Sequence, residues 1–344
     1  MTLKDIAAKA GVHVSTVSRI LASPDDSFGS REVRERVWAI VKDTGYVPNA
    51  AARSLRQKNA PPQVCQNGTL VCILGRAKTV DDNPFFGAVA RAAEQQALLL
   101  GYAVSVSISI ADATEIKRSK DKPIGAIVLG RFEKQETAKV LESLYGNIVF
   151  VGRSAVGQEW DQVICDGYEA SKIALRHLLA FGHRRIGYIG EAGSEIRYRA
   201  YLDILREQGI HPEKKWAAAC PHNSAEGGYG GADALLRQAD GDLPTAVFCA
   251  SDVAAIAAMR RFKEEKIRIP ERVSIVSLDN IELSGYVTPM LSTVGMPMEE
   301  MGKVAVQTLV SRIKKLHRLP LKIHLQGKLA RRESVLNLNK GECA

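Results

Sequence analysis

Six cysteines, at positions 65, 72, 165, 220, 249 and 343, are all that this 344-residue chain carries. None forms a CxxC pair and none joins a histidine cluster, so neither a disulfide framework nor a zinc-ligand spacing is present. Cys72, Cys165 and Cys249 fall in apolar runs, where a thiol serves as a small core residue. No apolar stretch is long enough to span a bilayer. The first dozen residues are amphipathic, not a charged start followed by an apolar block, so a secretory leader is not expected. Signatures of catalysis are missing too. There is no P-loop and no GxSxG elbow, and the Gly-rich EGGYGG at 226–231 opens a helical pattern without dinucleotide spacing. The expectation is a cytoplasmic protein that is not an enzyme, with no cofactor, no metal and no membrane partner.

What is present is ordinary soluble material. Hydrophobic residues make up 46% and charged residues 25%, enough for cores in two or three domains. Net charge is +9. Residues 1–60 hold ten Lys or Arg against six Asp or Glu, so this stretch alone carries +4. That balance suits a segment facing a polyanion, and equally a solvated helical surface.

The opening pattern separates the two. Thr2 stands three residues before Asp5, a capping-box spacing with Asp in place of Glu or Gln. A helix over 3–10 buries Ile6, Ala7 and Ala10, and Gly11 suits a left-handed turn. A second helix over 14–21 puts Val17, Ile20 and Leu21 on one face. Its other face shows Ser15, Thr16, Ser18 and Arg19. Two short helices joined by a Gly turn, the second with a polar outer face, describe a helix-turn-helix whose second helix enters the major groove. Small hydroxyls donate to phosphates, and Arg forks onto guanine. A third helix over 30–44 packs Val33, Val37, Ile40 and Val41 and stops at Gly45. Pro48 and the alanines at 50–52 favour a short helix at about 48–56. It has too little apolar surface to be stable alone. Residues 57–68 (QKNAPPQVCQNG) read as a linker.

TLKDIAAKAGVHVSTVSRIL followed by GYVPNAAARSL resembles the head and hinge of the lactose-repressor family of transcriptional regulators. The resemblance implies binding to a double-stranded DNA operator. By position, Val14, Ser15 and Arg19 read bases, while Thr16 and Ser18 contact phosphates. Asn49 caps the hinge helix and touches the DNA backbone. Ala52 lies against the minor groove, with Arg53 in the same segment. Leu55 is the apolar wedge that opens the central base step and kinks the duplex. The ordinary alternatives are a packing role for Leu55 and a surface ion pair for Arg19. His13 departs from the family's usual Ser; an imidazole caps less well when neutral and contacts phosphate when charged.

From Thr69 onward, apolar runs alternate with helical patterns. Strands are expected at 70–75, 102–108, 124–129, 148–151, 186–190, 246–250 and 273–278. Helices are expected near 86–100, 134–145, 167–181, 195–209, 227–239, 252–266 and 297–317. Fully apolar strands in β-α alternation imply parallel sheets covered on both faces. The fold class expected is therefore an all-α helix-turn-helix head plus an α/β core, resembling periplasmic binding proteins, of two doubly wound parallel-sheet lobes. The domain limits are 1–56 for the head, 57–68 for the linker and 69–344 for the core. Lobe one takes about 69–160 and 291–318; lobe two takes about 161–290 and 319–335. A ligand belongs between the lobes, off the carboxyl ends of the strands.

The family resemblance continues through residues such as LPTAVFCASDVAAIAAM and SIVSLDN. It implies a small-molecule effector, a sugar, and a regulator that acts as a repressor. Asp279 matches the carboxylate that accepts from ring hydroxyls, and Arg197 the guanidinium that forks onto adjacent oxygens. Ser251 and Asn223 occupy further effector positions, and Phe85 and Phe86 can stack on a ring. Met296 and Gly152 replace polar residues of some relatives. The plainer readings are a turn cap for Asp279 and a surface pair for Arg197. TLKDIA and KLARRES lean toward the galactoside and multiple-sugar branch. Purine-responsive and catabolite-control relatives are the alternatives within the family, and a sugar-binding protein without DNA function is the alternative outside it. After Glu333 the chain continues only to Ala344. The leucine-heptad tail of tetrameric relatives is absent, so a homodimer is expected.

Overall fold

The computed structural model describes residues 3–20, 30–44, 67–75, 83–109, 123–130, 135–152, 157, 159–220 and 223–341. The chain forms two compact units, Met1–Val64 and Cys65–Ala344.

The first unit holds α1 (Leu3–Ala10), α2 (Val14–Ile20) and α3 (Arg31–Thr44). Their apolar spacing carries the packing. Ile6, Ala7 and Ala10 meet Val17, Ile20 and Val37 in one buried cluster. Each of the larger aliphatic chains there contributes roughly 1.5–3 kcal/mol by leaving water. α1 stops because Gly11 takes φ +65°, a left-handed conformation that a Cβ makes costly. Val12 N closes the turn on Ala7 O at 3.1 Å. Arg36 donates from α3 to Ala10 O at 3.3 Å, setting a cation at the carboxyl end of α1. The helix expected at 48–56, with Asn49, Ala52, Arg53 and Leu55, lies outside the described residues.

Among the described residues, the second unit forms two six-stranded sheets. The first contains β1 (Thr69–Leu74), β2 (Ala103–Ser109), β3 (Gly125–Leu129), β4 (Ile148–Gly152), β5 (Asp161–Cys165) and β11 (Lys322–Leu325), in the order β11-β5-β4-β3-β1-β2. All its pairs are parallel. The second contains β6 (Ile186–Gly190), β7 (Ala217–Ala219), β8 (Ala246–Cys249), β9 (Ser274–Asp279), β10 (Ser292–Gly295) and β12 (Lys328–Ala330), in the order β12-β10-β9-β8-β6-β7. Only β12, against β10, is antiparallel. α4 (Pro84–Leu99), α5 (Gln135–Tyr145) and α10 (Met298–Ile313) cover the first sheet; α6 (Gly167–Ala180), α7 (Ile196–Glu207), α8 (Ala225–Ala239) and α9 (Asp252–Glu264) cover the second. Central strands β1, β3, β4 and β8 are apolar and almost wholly buried, as strands covered on both faces must be, and β9 (SIVSLD) is wholly buried with Ser274, Ser277 and Asp279 among its residues.

The lobe limits differ from those expected. β5 and β11 belong to the first sheet, not the second, and β10 to the second, not the first. β11 returns to the first sheet and β12 to the second, so the chain crosses three times, after Cys165, after Gly295 and at Gln326–Gly327. The misplacement has a physical cause. β5 begins with Asp161-Gln162, β10 (STVG) is short and half polar, and the exposed strand β11 (KIHL) alternates polar and apolar residues. Such runs show no apolar block, and only pairing assigns them to a sheet. The described cysteines 72, 165, 220 and 249 are buried. Burial pushes the Cys72 thiol up to about 12 and the Cys220 thiol to about 11, so neither is a thiolate at neutral pH.

α8 and α9 pack backbone to backbone at Gly228, where an added Cβ would collide with the Ala254 carbonyl, whereas nothing lies near Gly230 on the outer face of α8. Gly228→Ala is therefore expected to lower stability by roughly 1–3 kcal/mol, read as a drop of several degrees in Tm. Gly230→Ala is expected to hold or raise Tm, because Ala gains up to about 1 kcal/mol over Gly inside a helix. Equal losses in the two variants would refute this packing.

Candidate functional site

The sequence-predicted site residues that are described fall in both units. In the first unit, α2 presents its amino-terminal turn beyond the Gly11 corner. Val17 and Ile20 face the cluster, which fixes the helix's rotation. His13, exposed, opens α2 with its carbonyl, accepting from Thr16 N at 2.9 Å and Val17 N at 3.3 Å. Val14 and Thr16 are half-buried. Ser15, Ser18 and Arg19 lie on the same helix, with side chains outside the described set.

In the second unit, the carboxyl ends of β6, β8 and β9 converge, the position where doubly wound sheets hold ligands. Asp279 ends β9 at φ +118°, and Asn280 follows at φ +57°. Two successive non-glycine residues with positive φ store strain of about 1–3 kcal/mol each. Arg197, in the first turn of α7, is 5% exposed. Its Nε donates to Glu195 Oε2 at 2.9 Å and its Nη1 to Ala250 O at 2.8 Å. Burial would lower its pKa, but the carboxylate of Glu195, the Tyr188 phenol and Asp279 outweigh this, so the guanidinium is held charged. Ser251 caps α9, accepting from Ala254 N at 3.3 Å and donating to Asn223 O at 2.8 Å. Asn223, at φ +44°, accepts from Glu191 N at 2.7 Å through Oδ1. A guanidinium, a carboxylate, a hydroxyl and an amide thus meet at one end of one sheet, the polar set that matches neighbouring hydroxyls.

The two aromatic candidates part company. Asn83 caps α4 by accepting from Phe85 N at 3.1 Å and Phe86 N at 3.4 Å. That register turns Phe85 inward, where it is 1% exposed within the apolar core. Phe85 is therefore a packing residue and not a stacking platform. Phe86 is half-buried, edge-on to Phe85 at 5.0 Å and close above Gly130, just past the carboxyl end of β3. Met296 is buried, its Sδ 3.0 Å from Cys165 Sγ, so it joins two crossing points.

Asp252 was missed by reading the sequence. It follows Ser251 at the start of α9 and is fully buried. Its Oδ1 accepts from Ser277 Oγ at 2.5 Å and from Thr293 Oγ1 at 2.6 Å, and its Oδ2 from Ile281 N at 2.8 Å. Thr293 Oγ1 in turn accepts from Asn280 N at 3.2 Å. These bonds pin the strained Asp279–Asn280 corner from both sides. The only sequence signal was an Asp after a capping Ser, which also describes any helix start.

Family models match twice. Residues 2–49 match bacterial regulatory proteins of the lacI family, and residues 175–335 match the periplasmic binding protein-like domain. The ribose operon repressor of Haemophilus influenzae is 30% identical, the match covering 98% of this chain and 99% of that one. The HTH-type transcriptional repressor PurR of Yersinia pestis is 29% identical over 97% of this chain and 96% of its own length. Among solved structures, the transcriptional regulator CelR–cellobiose complex superposes at TM-score 0.70 with 24% identity, covering 97% of this chain and 99% of that one. The lac repressor dimer bound to operator and the anti-inducer ONPF gives TM-score 0.66 with 23% identity, covering 98% and 99%.

Burial first, and Asp279 second, raise the Asp252 carboxyl to about 7 against the pull of its three hydrogen bonds. A carboxyl raised on folding stabilises fully below its unfolded value and loses that contribution as pH rises through about 7. Asn cannot titrate and sets an amide against one of the donors. Asp252→Asn is thus expected to cost about 1–3 kcal/mol at pH 5, with the deficit shrinking by pH 8. Thermal melts of both proteins across that range check it, and a pH-independent gap would count against a titrating Asp252.

Proposed function

Because this chain belongs to the lacI family of bacterial regulatory proteins, we propose that it is a cytoplasmic, sequence-specific DNA-binding repressor whose operator affinity is set by a small sugar. Two copies pair through their cores and present two α2 helices to successive major-groove half-sites. Val14, Ser15 and Arg19 read base edges, while Thr16 and Ser18 hold phosphates. The segment around Asn49, Ala52, Arg53 and Leu55 folds against the minor groove, with Leu55 as the wedge.

The observation that carries the effector half is the convergence of Arg197, Asn223, Ser251 and Asp279 at the carboxyl ends of β6, β8 and β9. Asp279 accepts from sugar hydroxyls and Arg197 donates to their oxygens, while Phe86 supplies an apolar face from the other lobe. A ligand gripping both lobes favours one arrangement of the sheets. DNA affinity shifts through linkage between the two sites, and such couplings are typically about 5–150-fold.

A thermal-shift screen of mono-, di- and trisaccharides, with purines as the comparison set, identifies the effector by its rise in Tm. Operator binding measured with and without that ligand then gives the coupling. Asp279→Ala is expected to abolish the response while leaving ligand-free operator affinity within about threefold. Full induction in this variant would move the effector elsewhere. Leu55→Ala is expected to weaken operator binding and reduce DNA bending, and an unchanged bend angle would remove the wedge role.

A further inference from the structure

From Met301 through Arg332 the chain has no Asp or Glu and nine Lys or Arg, as much positive charge as the net +9 of the entire protein. The head, with +4, is therefore not the chief basic region. Part of this charge is internal. Arg312 pairs with buried Asp161, and Arg332 donates to Asn280 and Leu291 O. Lys314, Lys315, Arg318, Lys322 and Lys328 are instead exposed. Among the described residues none of the five has a carboxylate within ion-pair distance.

The loop that follows α10 is built, not slack. Asp161, fully buried at the start of β5, accepts from Arg312 Nη2 at 2.7 Å, from Leu321 N at 2.7 Å and from His317 Nε2 at 2.9 Å. Arg312 also donates to Arg318 O at 3.2 Å and Leu319 O at 3.1 Å. On the outside of this clamped loop stand Leu316 at 74% exposure and Leu319 at 79%. Holding two leucines rigidly in water gains nothing for folding, and lysines beside them keep the surface soluble until it is covered. Cations on edge strands do discourage sheet-to-sheet pairing, which accounts for Lys322 on β11 and Lys328 on β12. It does not account for Lys314, Lys315, Arg318 or the leucines, which lie on no strand.

We propose that the strip from Lys314 to Lys328 is the docking surface for a separate acidic protein, which seats Leu316 and Leu319 in an apolar recess rimmed by carboxylates. The exposed leucines favour a protein over nucleic acid, since a phosphate backbone is met by cations and gains nothing from isopropyl groups. The strip spans both lobes. β11 is the edge of the first sheet and β12 the edge of the second, joined only by Gln326 and Gly327. A partner lying along it fixes the two sheets relative to each other and so acts on the same lobe arrangement as a ligand in the cleft.

The test uses the full-length protein and two variants changed only at exposed positions, K314E/K315E/R318E and L316S/L319S. Fluorescence anisotropy follows a labelled synthetic peptide of repeated Glu-Leu pairs, its Glu-Ser counterpart, a non-specific duplex and phosphatidylglycerol vesicles. The Glu-Leu peptide is expected to bind the parent more tightly than the Glu-Ser peptide. The charge-reversed variant should lose about tenfold or more of that affinity. The serine variant should bind both peptides alike. Operator binding and Tm, measured on the same samples, should stay near the parent values, which separates failure of this surface from failure of the regulator reading. Unchanged peptide affinity in the charge-reversed variant overturns the proposal, as does equal binding of the two peptides by the parent. A larger loss for the duplex makes the strip a nucleic-acid surface, and a larger loss for vesicles makes it a lipid surface; either result also overturns it. In cells, a photocrosslinker at position 319 should then capture a partner through an acid-rich surface, and capture must vanish in the charge-reversed background.

Discussion

Three passages of one chain between two parallel sheets constrain everything else in the core. Neither sheet is a continuous stretch of sequence, because β5 and β11 complete the first while β10 and β12 complete the second. The sheets are therefore tied at three adjacent points, after Cys165, after Gly295 and at Gln326–Gly327. Three short tethers side by side restrict relative movement to hinging, since sliding would break strand pairing in both sheets. The contact of Cys165 Sγ with Met296 Sδ packs two of these tethers against each other without adding a polar demand in the buried hinge.

Polar groups buried at the ends of strands translate that topology into chemistry. At the strand-start edge of the first sheet, Asp161 gathers Arg312, His317 and the Leu321 amide, and so locks the loop that leads into β11. Burial pushes the Asp161 carboxyl up, but the hydrogen bonds from Arg312, Leu321 and His317, with the Arg312 charge, leave it below its usual range. At the strand-finish edge of the second sheet, Asp252 gathers Ser277, Thr293 and the Ile281 amide, and here burial and Asp279 win. The two carboxylates differ in one respect that decides the sign: Asp161 has a guanidinium partner and Asp252 has only neutral donors and a like charge nearby. The first builds a rigid surface; the second holds the strained Asp279–Asn280 corner at the end of β9.

The comparison of head and core shows how differently short and long patterns survive the step to three dimensions. α1, α2 and α3 begin and end within a residue of where capping, Gly11 and apolar spacing placed them. The central strands and the presence of their covering helices were legible too, because full burial on both faces writes itself as an apolar block. The helix ends were harder to place: the one expected over 297–317 stops at Ile313. Site residues were less so. Arg197, Asn223, Ser251 and Asp279 meet at one end of one sheet, yet Phe85, adjacent to half-buried Phe86, turned inward because the Asn83 cap sets the helix register.

Local sequence alone determined the helical head, the alternation of apolar strands with amphipathic helices, and the residue types able to meet DNA and a polyhydroxylated ligand. These follow from short-range geometry: a turn needs a glycine, a buried strand needs apolar side chains on both faces, a cap needs an oxygen. Tertiary structure decided which sheet takes each half-polar edge strand, that Asp252 braces Asp279, and that nine cations between 301 and 332 divide into internal partners and an exposed strip. Those facts depend on residues from 25 positions apart, as Asp252 and Ser277 are, to 151 apart, as Asp161 and Arg312 are, becoming neighbours. No periodicity within a window records such a meeting, because its energy exists only once the chain has returned.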